Sequence, residues 1–199
     1  IAADGETVYY LHDTQGGGIG HFFKMPFEGG LPEDLTPKIP AYMSFYATEA
    51  HSGQILGLHV VNQEGFQIYA FDGDGKQVFS YQNPAFSVGP NVSHDGDVLV
   101  IATTEKTGNS DFSLEAYEVQ SGKLLGDLWD GEGTTIQPIG FIPKTGDTRF
   151  LAASNQTGAM RPLIWNPRTG ERDDLPLPTI AGEVLPWDAT PDGTTILLR

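Results

Sequence analysis

Cysteine is absent from the 199 residues, so neither a disulfide framework nor a thiolate metal site can be built. The cytosol is the simplest compartment for such a chain, though lack of cysteine alone does not exclude secretion. No apolar run approaches the roughly 20 residues that a membrane-spanning helix needs, and nothing reads as a cleavable leader. Basic residues are scarce: 11 lysines and arginines stand against 26 acidic residues, for a net charge of −15. The basic residues are also scattered singly. That balance repels phosphate backbones and anionic lipid, so nucleic-acid and membrane partners are disfavoured. Solubility is the plain use of such acidity, and a cationic partner is the alternative. Helical periodicity longer than two turns is missing, as is any linker or composition break, so one all-β domain is expected over residues 1–199.

What the chain does have is a short pattern that returns. Asn91 to Ala102 reads as an Asp95-Gly96 turn followed by Val98, Leu99, Val100 and Ile101. An Asp-Gly pair takes the positive backbone angles of a two-residue hairpin loop. The run behind it is β-rich and apolar on both faces, as in a strand buried on both sides. Asp4-Gly5 stands before Thr7 to Leu11 in the same way, and Ser52-Gly53 before Ile55 to Leu58. Thr145-Gly146 precedes Arg149 to Ala152, and Asp192-Gly193 precedes Ile196 to Leu198. Gly5, Gly53, Gly96, Gly146 and Gly193 are therefore 48, 43, 50 and 47 residues apart.

A period in the forties points to a propeller, whose blades hold four strands each. The third repeat shows four strand-like pieces: Phe86 to Ser93, Asp97 to Thr103, Phe112 to Val119 and Leu124 to Trp129. Phe22 to Phe27, Phe66 to Phe71 and Pro162 to Trp165 fill the third-strand slot of the other repeats, each followed by a glycine-bearing turn. The outer pieces, Glu33 to Pro37 and Arg172 to Pro178, are polar and proline-marked, as edge strands are. A sandwich strand alternates because one face meets water. Here the second strand of every repeat is apolar on both faces, which suits a blade between two neighbours. Small residues (Ala2, Ala3, Ala47, Ala50, Ser87) suit a crowded inner strand beside a central channel. The expected fold is a β-propeller fragment of about four blades of four antiparallel strands. Its modules run over residues 1–46, 47–89, 90–139 and 140–188, with a fifth begun at 189–199. Ile1 already lies inside a repeat and Arg199 inside a second strand, so a larger ring is expected. Exposed blade faces of such a piece would drive self-association or local disorder.

Catalytic signals are weak. No Gly-x-Ser-x-Gly string exists, and Ser87 in Phe86-Ser87-Val88-Gly89 lacks the first glycine, so no nucleophile elbow is present. Asp72-Gly73-Asp74-Gly75-Lys76 invites a calcium loop, but the closing glutamate is missing, and a hairpin turn is the simpler reading. Gly16 to Gly20 precedes a strand rather than a helix and has no P-loop lysine, so it reads as a blade loop. The five histidines, His12, His21, His51, His59 and His94, share no ligand spacing. His12 and His21 could converge across one hairpin; His51 and His94 occupy equivalent turn slots with a local structural role. Asn91-Val92-Ser93 and Asn155-Gln156-Thr157 match glycosylation acceptors only by short pattern. Trp129, Trp165 and Trp187 read as blade-packing residues. No catalytic, cofactor-binding or metal-binding residue is assigned, and no cofactor.

Thr190-Pro191-Asp192-Gly193 behind Trp187, with Val92-Ser93-His94-Asp95-Gly96, resembles the "W-S-P-D-G" turn signature of TolB-like propellers. The same signature marks the amino-terminal propellers of prolyl oligopeptidase-family serine peptidases, including acylaminoacyl peptidases. Phe22 to Gly30, with Leu35-Thr36 after it, resembles that group's "I-Y-x-x-x-x-x-G-G-x-x-x-x-L-T" third-strand pattern. His94 replaces the signature proline, and the turns at Ala50 to Gly53 and Pro143 to Gly146 depart further. The resemblance implies a non-catalytic propeller that caps an α/β-hydrolase domain of the same parent chain and restricts access to small peptide substrates. The alternative is a TolB-like or WD-type module that presents loops to a protein partner. A sugar- or cofactor-binding propeller enzyme with a site in its channel is a third reading.

Overall fold

A computed structural model of the chain describes residues 1–13, 16–52, 55–177 and 180–199. Among the described residues there are 18 strands and no helix. The first unit holds β1 (Thr7–Asp13), β2 (Ile19–Pro26) and β3 (Glu33–Asp34). The second holds β4 (Tyr42–Met43), β5 (Ala47–Glu49), β6 (Ile55–Asn62), β7 (Gly65–Asp72) and β8 (Gln77–Asn83). The third is β9 (Ser87–Val92), β10 (Val98–Thr103), β11 (Ser113–Glu118) and β12 (Leu124–Leu128). The fourth is β13 (Ile136–Phe141), β14 (Phe150–Ser154), β15 (Arg161–Trp165) and β16 (Arg172–Asp174). A fifth sheet pairs β17 (Pro186–Ala189) with β18 (Ile196–Leu198). The third and fourth units are antiparallel four-strand meanders. All-β architecture built of blade-like sheets is therefore the fold.

Core packing shows why these sheets stand side by side rather than face to face as two layers. In β10, Val98, Val100 and Ala102 pack with Ile136, Phe150 and Trp165 of the fourth unit. The alternate residues Leu99 and Ile101 pack with Ile55 and Ile68 of the second. Side chains alternate across a strand, so one strand feeds two separate cores. Similarly, Phe150 and Ala152 of β14 face the third unit while Leu151 meets Ala189 of the fifth. Phe22 and Leu35 join Leu56, Leu58 and Phe71 between the first two units. The first strands converge, with β5 against β9, β9 against β13 and β13 against β17.

Three features differ from the sequence reading. Double-sided burial holds for β6, β10 and β14, but β1 is only half-buried and β18 largely exposed, because each has a blade core on one side only. The turns are not two-residue hairpins with paired positive angles. Among the described residues no non-glycine residue has a positive φ; instead Gly96 (φ 80°) donates its N–H to Ser93 O at 2.9 Å, and Ser93 N–H reaches Val98 O at 2.8 Å. Gly193 with Thr190 and Gly5 with Ala2 repeat that geometry. Gly53 lies outside the described residues, as does Pro178 at the end of the outer Arg172 piece. Finally, the second unit's inner strand is split. Tyr42 is buried, and its hydroxyl accepts Phe22 N–H at 2.9 Å and meets Thr36 Oγ1 at 2.8 Å. That anchor draws β4 toward β2, so the first two units share one eight-stranded sheet and Ser44 and Phe45 fall between the strands, while Tyr46 O still accepts His59 N–H at 2.9 Å.

Candidate functional site on the inner wall

The inner strands do not run as regular ladders. A bulge interrupts β9 between the partners of Val100 and Ala102, and others follow Pro138 in β13 and Pro186 in β17. Pro90 sits inside the first of these bulges. Proline cannot donate to a ladder, so it belongs on such edges, and a bulge re-aims the neighbouring side chains. The consequence is a cavity of about 430 Å³ walled by three successive units. Phe45 and Tyr46 come from the split inner strand, His59 from β6, Val88, Gly89 and Asn91 from β9 with Phe86 just before it, and Pro138 and Ile139 from β13. Phe86, Val88 and Pro138 also line a neighbouring cavity of about 750 Å³ that opens among the loops at Asp111, Asn155 and Glu183. Among the described residues no lysine or arginine lines either.

The walls are aromatic. Phe45 is 70 % exposed, yet its ring lies 6.4 Å from the His59 ring. His59 stacks on Phe66 at 6.3 Å, Phe66 meets Phe86 edge-on at 5.0 Å, and Phe86 lies 5.7 Å from Phe112. Two polar side chains interrupt this surface, and both are buried: His59 at 2 % and Asn91 at 7 % exposure. A carbonyl only accepts, so His59 Nε2 carries the proton that it donates to Ser87 O at 2.8 Å. Burial pushes the imidazole below its ordinary 6.5, and the Ser87 bond only partly opposes this. His59 is therefore neutral, with Nδ1 an acceptor. Asn91 Oδ1 accepts from the Tyr46 hydroxyl at 3.2 Å, which leaves Nδ2 as a donor.

The opposite end of the units is closed by the turns. Ser52 N–H bonds His94 O at 3.0 Å, and Gly146 N–H bonds Asp95 Oδ2 at 2.5 Å, so successive turns are tied together. The His51 and His94 rings meet there at 4.8 Å between centroids, tilted by 38°. His12 and His21 are cross-strand partners, but His21 Nδ1 is engaged by Asp34 at 2.7 Å and its ring stacks on Tyr42. Asp72 Oδ1 accepts the N–H groups of Asp74 and Lys76, as a hairpin turn requires. The Gly16 and Gly18 amides are occupied by the Asp13 carboxylate. Trp165 is a packing residue as read, but Trp129 and Trp187 are exposed, and Trp187 stacks under the Arg199 guanidinium at 4.1 Å. The Asn91 acceptor triplet is buried, with Asn91 and Val92 closing β9 and Ser93 just after it. His59 lines the inner-wall cavity, and the sequence showed it only as one of five histidines that share no ligand spacing.

No family model and no curated protein matches the chain. Solved structures do. A structure assigned to TolB from Agrobacterium tumefaciens is similar at 17% identity and TM-score 0.61, over 100% of this chain and 72% of that one. The β-propeller domain of the trilobed protease from Pyrococcus furiosus is similar at 11% identity and TM-score 0.62, over 97% and 60%. Pyrococcus horikoshii acylaminoacyl peptidase is similar at 12% identity and TM-score 0.58, over 92% of this chain and 32% of that one. At such identities the likeness is one of fold: the chain forms β-propeller blades of the type these TolB and peptidase structures share.

Proposed function

We propose that the chain is a non-catalytic propeller segment of a prolyl oligopeptidase-like serine peptidase, gating and scaffolding access to a separate α/β-hydrolase domain. The likeness to the trilobed protease propeller carries this reading. The sequence holds no Gly-x-Ser-x-Gly, so hydrolysis of a peptide falls to another domain. Pockets clustered on the inner wall and loop end, opposite the tied turns, fit a surface that small peptides pass. Function resides in cytoplasm on this reading. The gene beyond residue 199 tests it: a following Gly-x-Ser-x-Gly with later aspartate and histidine supports the peptidase, and a stop without them overturns it.

A TolB-like protein-binding propeller with no hydrolase attached is the second reading. It is favoured by the TolB likeness, which extends over the whole of this chain and 72% of that one. Exposed Leu197 and Leu198 on the last sheet support self-association of the isolated chain, which sedimentation velocity measures.

A further inference from the structure

The inner-wall cavity has the makings of a specific small-ligand site: a volume within the usual few hundred Å³, apolar walls and a few convergent polar groups. Among the described residues, Asn62 Nδ2 is the buried side-chain nitrogen or oxygen that lacks a partner. His59 Nδ1 and Asn91 Nδ2 likewise have no hydrogen-bond partner among the described residues, and both side chains line this cavity. One offers an acceptor and the other a donor. A ligand that satisfies both brings one N–H and one C=O. No cation lines the cavity and the chain carries −15 charges, so an anionic group is disfavoured. Phe45, Tyr46 and Phe86 provide faces and edges for a ring.

The geometry points to a binding site for a neutral aryl group joined to a secondary amide, the amide N–H directed to His59 Nδ1 and its C=O to Asn91 Nδ2. The same chemistry is found in a free aryl amide and in an aromatic residue of a peptide. This deepens the small-peptide reading above but does not need a hydrolase, so the two fail separately.

The test is a titration of the ¹⁵N-labelled chain with N-acetyl-L-phenylalaninamide, followed at the His59 ring nitrogens and the Asn91 side-chain amide. A dissociation constant of about 1 mM is expected, as roughly 15 non-hydrogen atoms deliver at ordinary ligand efficiency. The His59 Nδ1 resonance moves as it accepts a hydrogen bond while Nε2 stays protonated. N-acetyl-L-leucinamide and toluene, which lack the ring and the amide, each bind about tenfold more weakly. His59→Phe keeps a ring without the acceptor and loses about tenfold. Asn91→Asp keeps the partner of Tyr46 without the donor and loses as much, which guards against misfolding of the first variant. Equal affinity for acetyl-Ala-Phe-Ala-amide assigns the site to free aryl amides, and tenfold tighter binding assigns it to peptides. Unmoved His59 and Asn91 resonances, or equal affinity for the leucine amide, overturn the assignment.

Discussion

Gly96 is held by two independent constraints. Its φ of 80° is left-handed, and a Cβ built there would lie 2.7 Å from Ile55 Cγ1 and 3.2 Å from Ala50 Cβ of the preceding unit. Gly193 repeats the arrangement against Ile142 Cγ2 at 2.9 Å. The turn glycine is therefore both a backbone device and a point of close approach of one unit to the next. Gly96→Ala is expected to lose about 2–3 kcal/mol, strain and overpacking together, read as a lower urea midpoint at unchanged slope. Gly122→Ala, in a positive-φ turn with no atom within 4 Å of the added Cβ, meets only the strain and should lose about half as much. Equal losses at the two sites would show that the contact with Ile55 contributes nothing.

His59 makes a second prediction at this scale. Its folded pKa lies below the ordinary 6.5 because burial disfavours the imidazolium. Above 6.5 it is neutral in both states and contributes no slope. As pH falls below 6.5 the unfolded chain takes up the proton first, so stability declines, and it levels only below the folded value. Urea unfolding from about pH 8 to about pH 5 should show this decline in the wild type and not in His59→Gln. Carboxylates held low by hydrogen bonds, such as Asp95 through Gly146 and His94, lose their share of stability only further into acid. The two ranges therefore separate.

At the scale of elements, β16 shows how an edge strand is secured. The Asp130 carboxylate, 5 % exposed, is engaged by the Arg172 guanidinium and by the Ser154 hydroxyl. Arg172 also pairs with exposed Asp174 at 2.7 Å. The partners are unequal. Removing Arg172 strands a buried carboxylate, whereas removing Asp130 leaves the guanidinium with Asp174. Arg172→Met should cost about 3 kcal/mol and Asp130→Ala about 1–2, by urea denaturation of each. The opposite order would mean that Asp174 gives Arg172 no useful alternative.

Elements also show what a linear reading can reach. Val98 to Ile101 announces a strand with two buried faces because every residue of the run is apolar, and both faces found cores. The third repeat's four pieces coincide with β9 to β12, set off by the turns between them. The split of β4 from β5 had no local signal: it depends on a hydroxyl of Tyr42 that bonds across to Phe22 and Thr36. Nor could the cavity be read. Phe45, His59, Phe86 and Pro138 are brought together only by the curvature of the stack, and His59 shares no spacing with another ligand-type residue. Trp187 sits beside the expected turn, but its blade has no wall there to cover it.

For the whole molecule, each core lies between two successive units, so no unit owns the apolar surface that holds it. Stability in such an array is a sum of unit terms and nearest-neighbour interfaces. The central units, with cores on both sides, should exchange amide hydrogens most slowly at β10 and β14, and the outer strands β1 and β18 fastest. Trp165 tests the coupling directly. It is buried between the third and fourth units with Val98, Leu114 and Phe150, and its ring edge lies 3.4 Å from where a Cβ on Gly126 would stand. Trp165→Ala should cost about 3–5 kcal/mol. Its protection loss should appear in β10 and β11 of the neighbouring sheet as well as in β14 and β15, while β6 and β7, two interfaces away, keep most of theirs. Hydrogen exchange read by mass spectrometry resolves these segments. Loss confined to the fourth unit would mean that the blades are independently stable, and uniform loss through β6 would mean that the array unfolds as a single cooperative body rather than blade by blade.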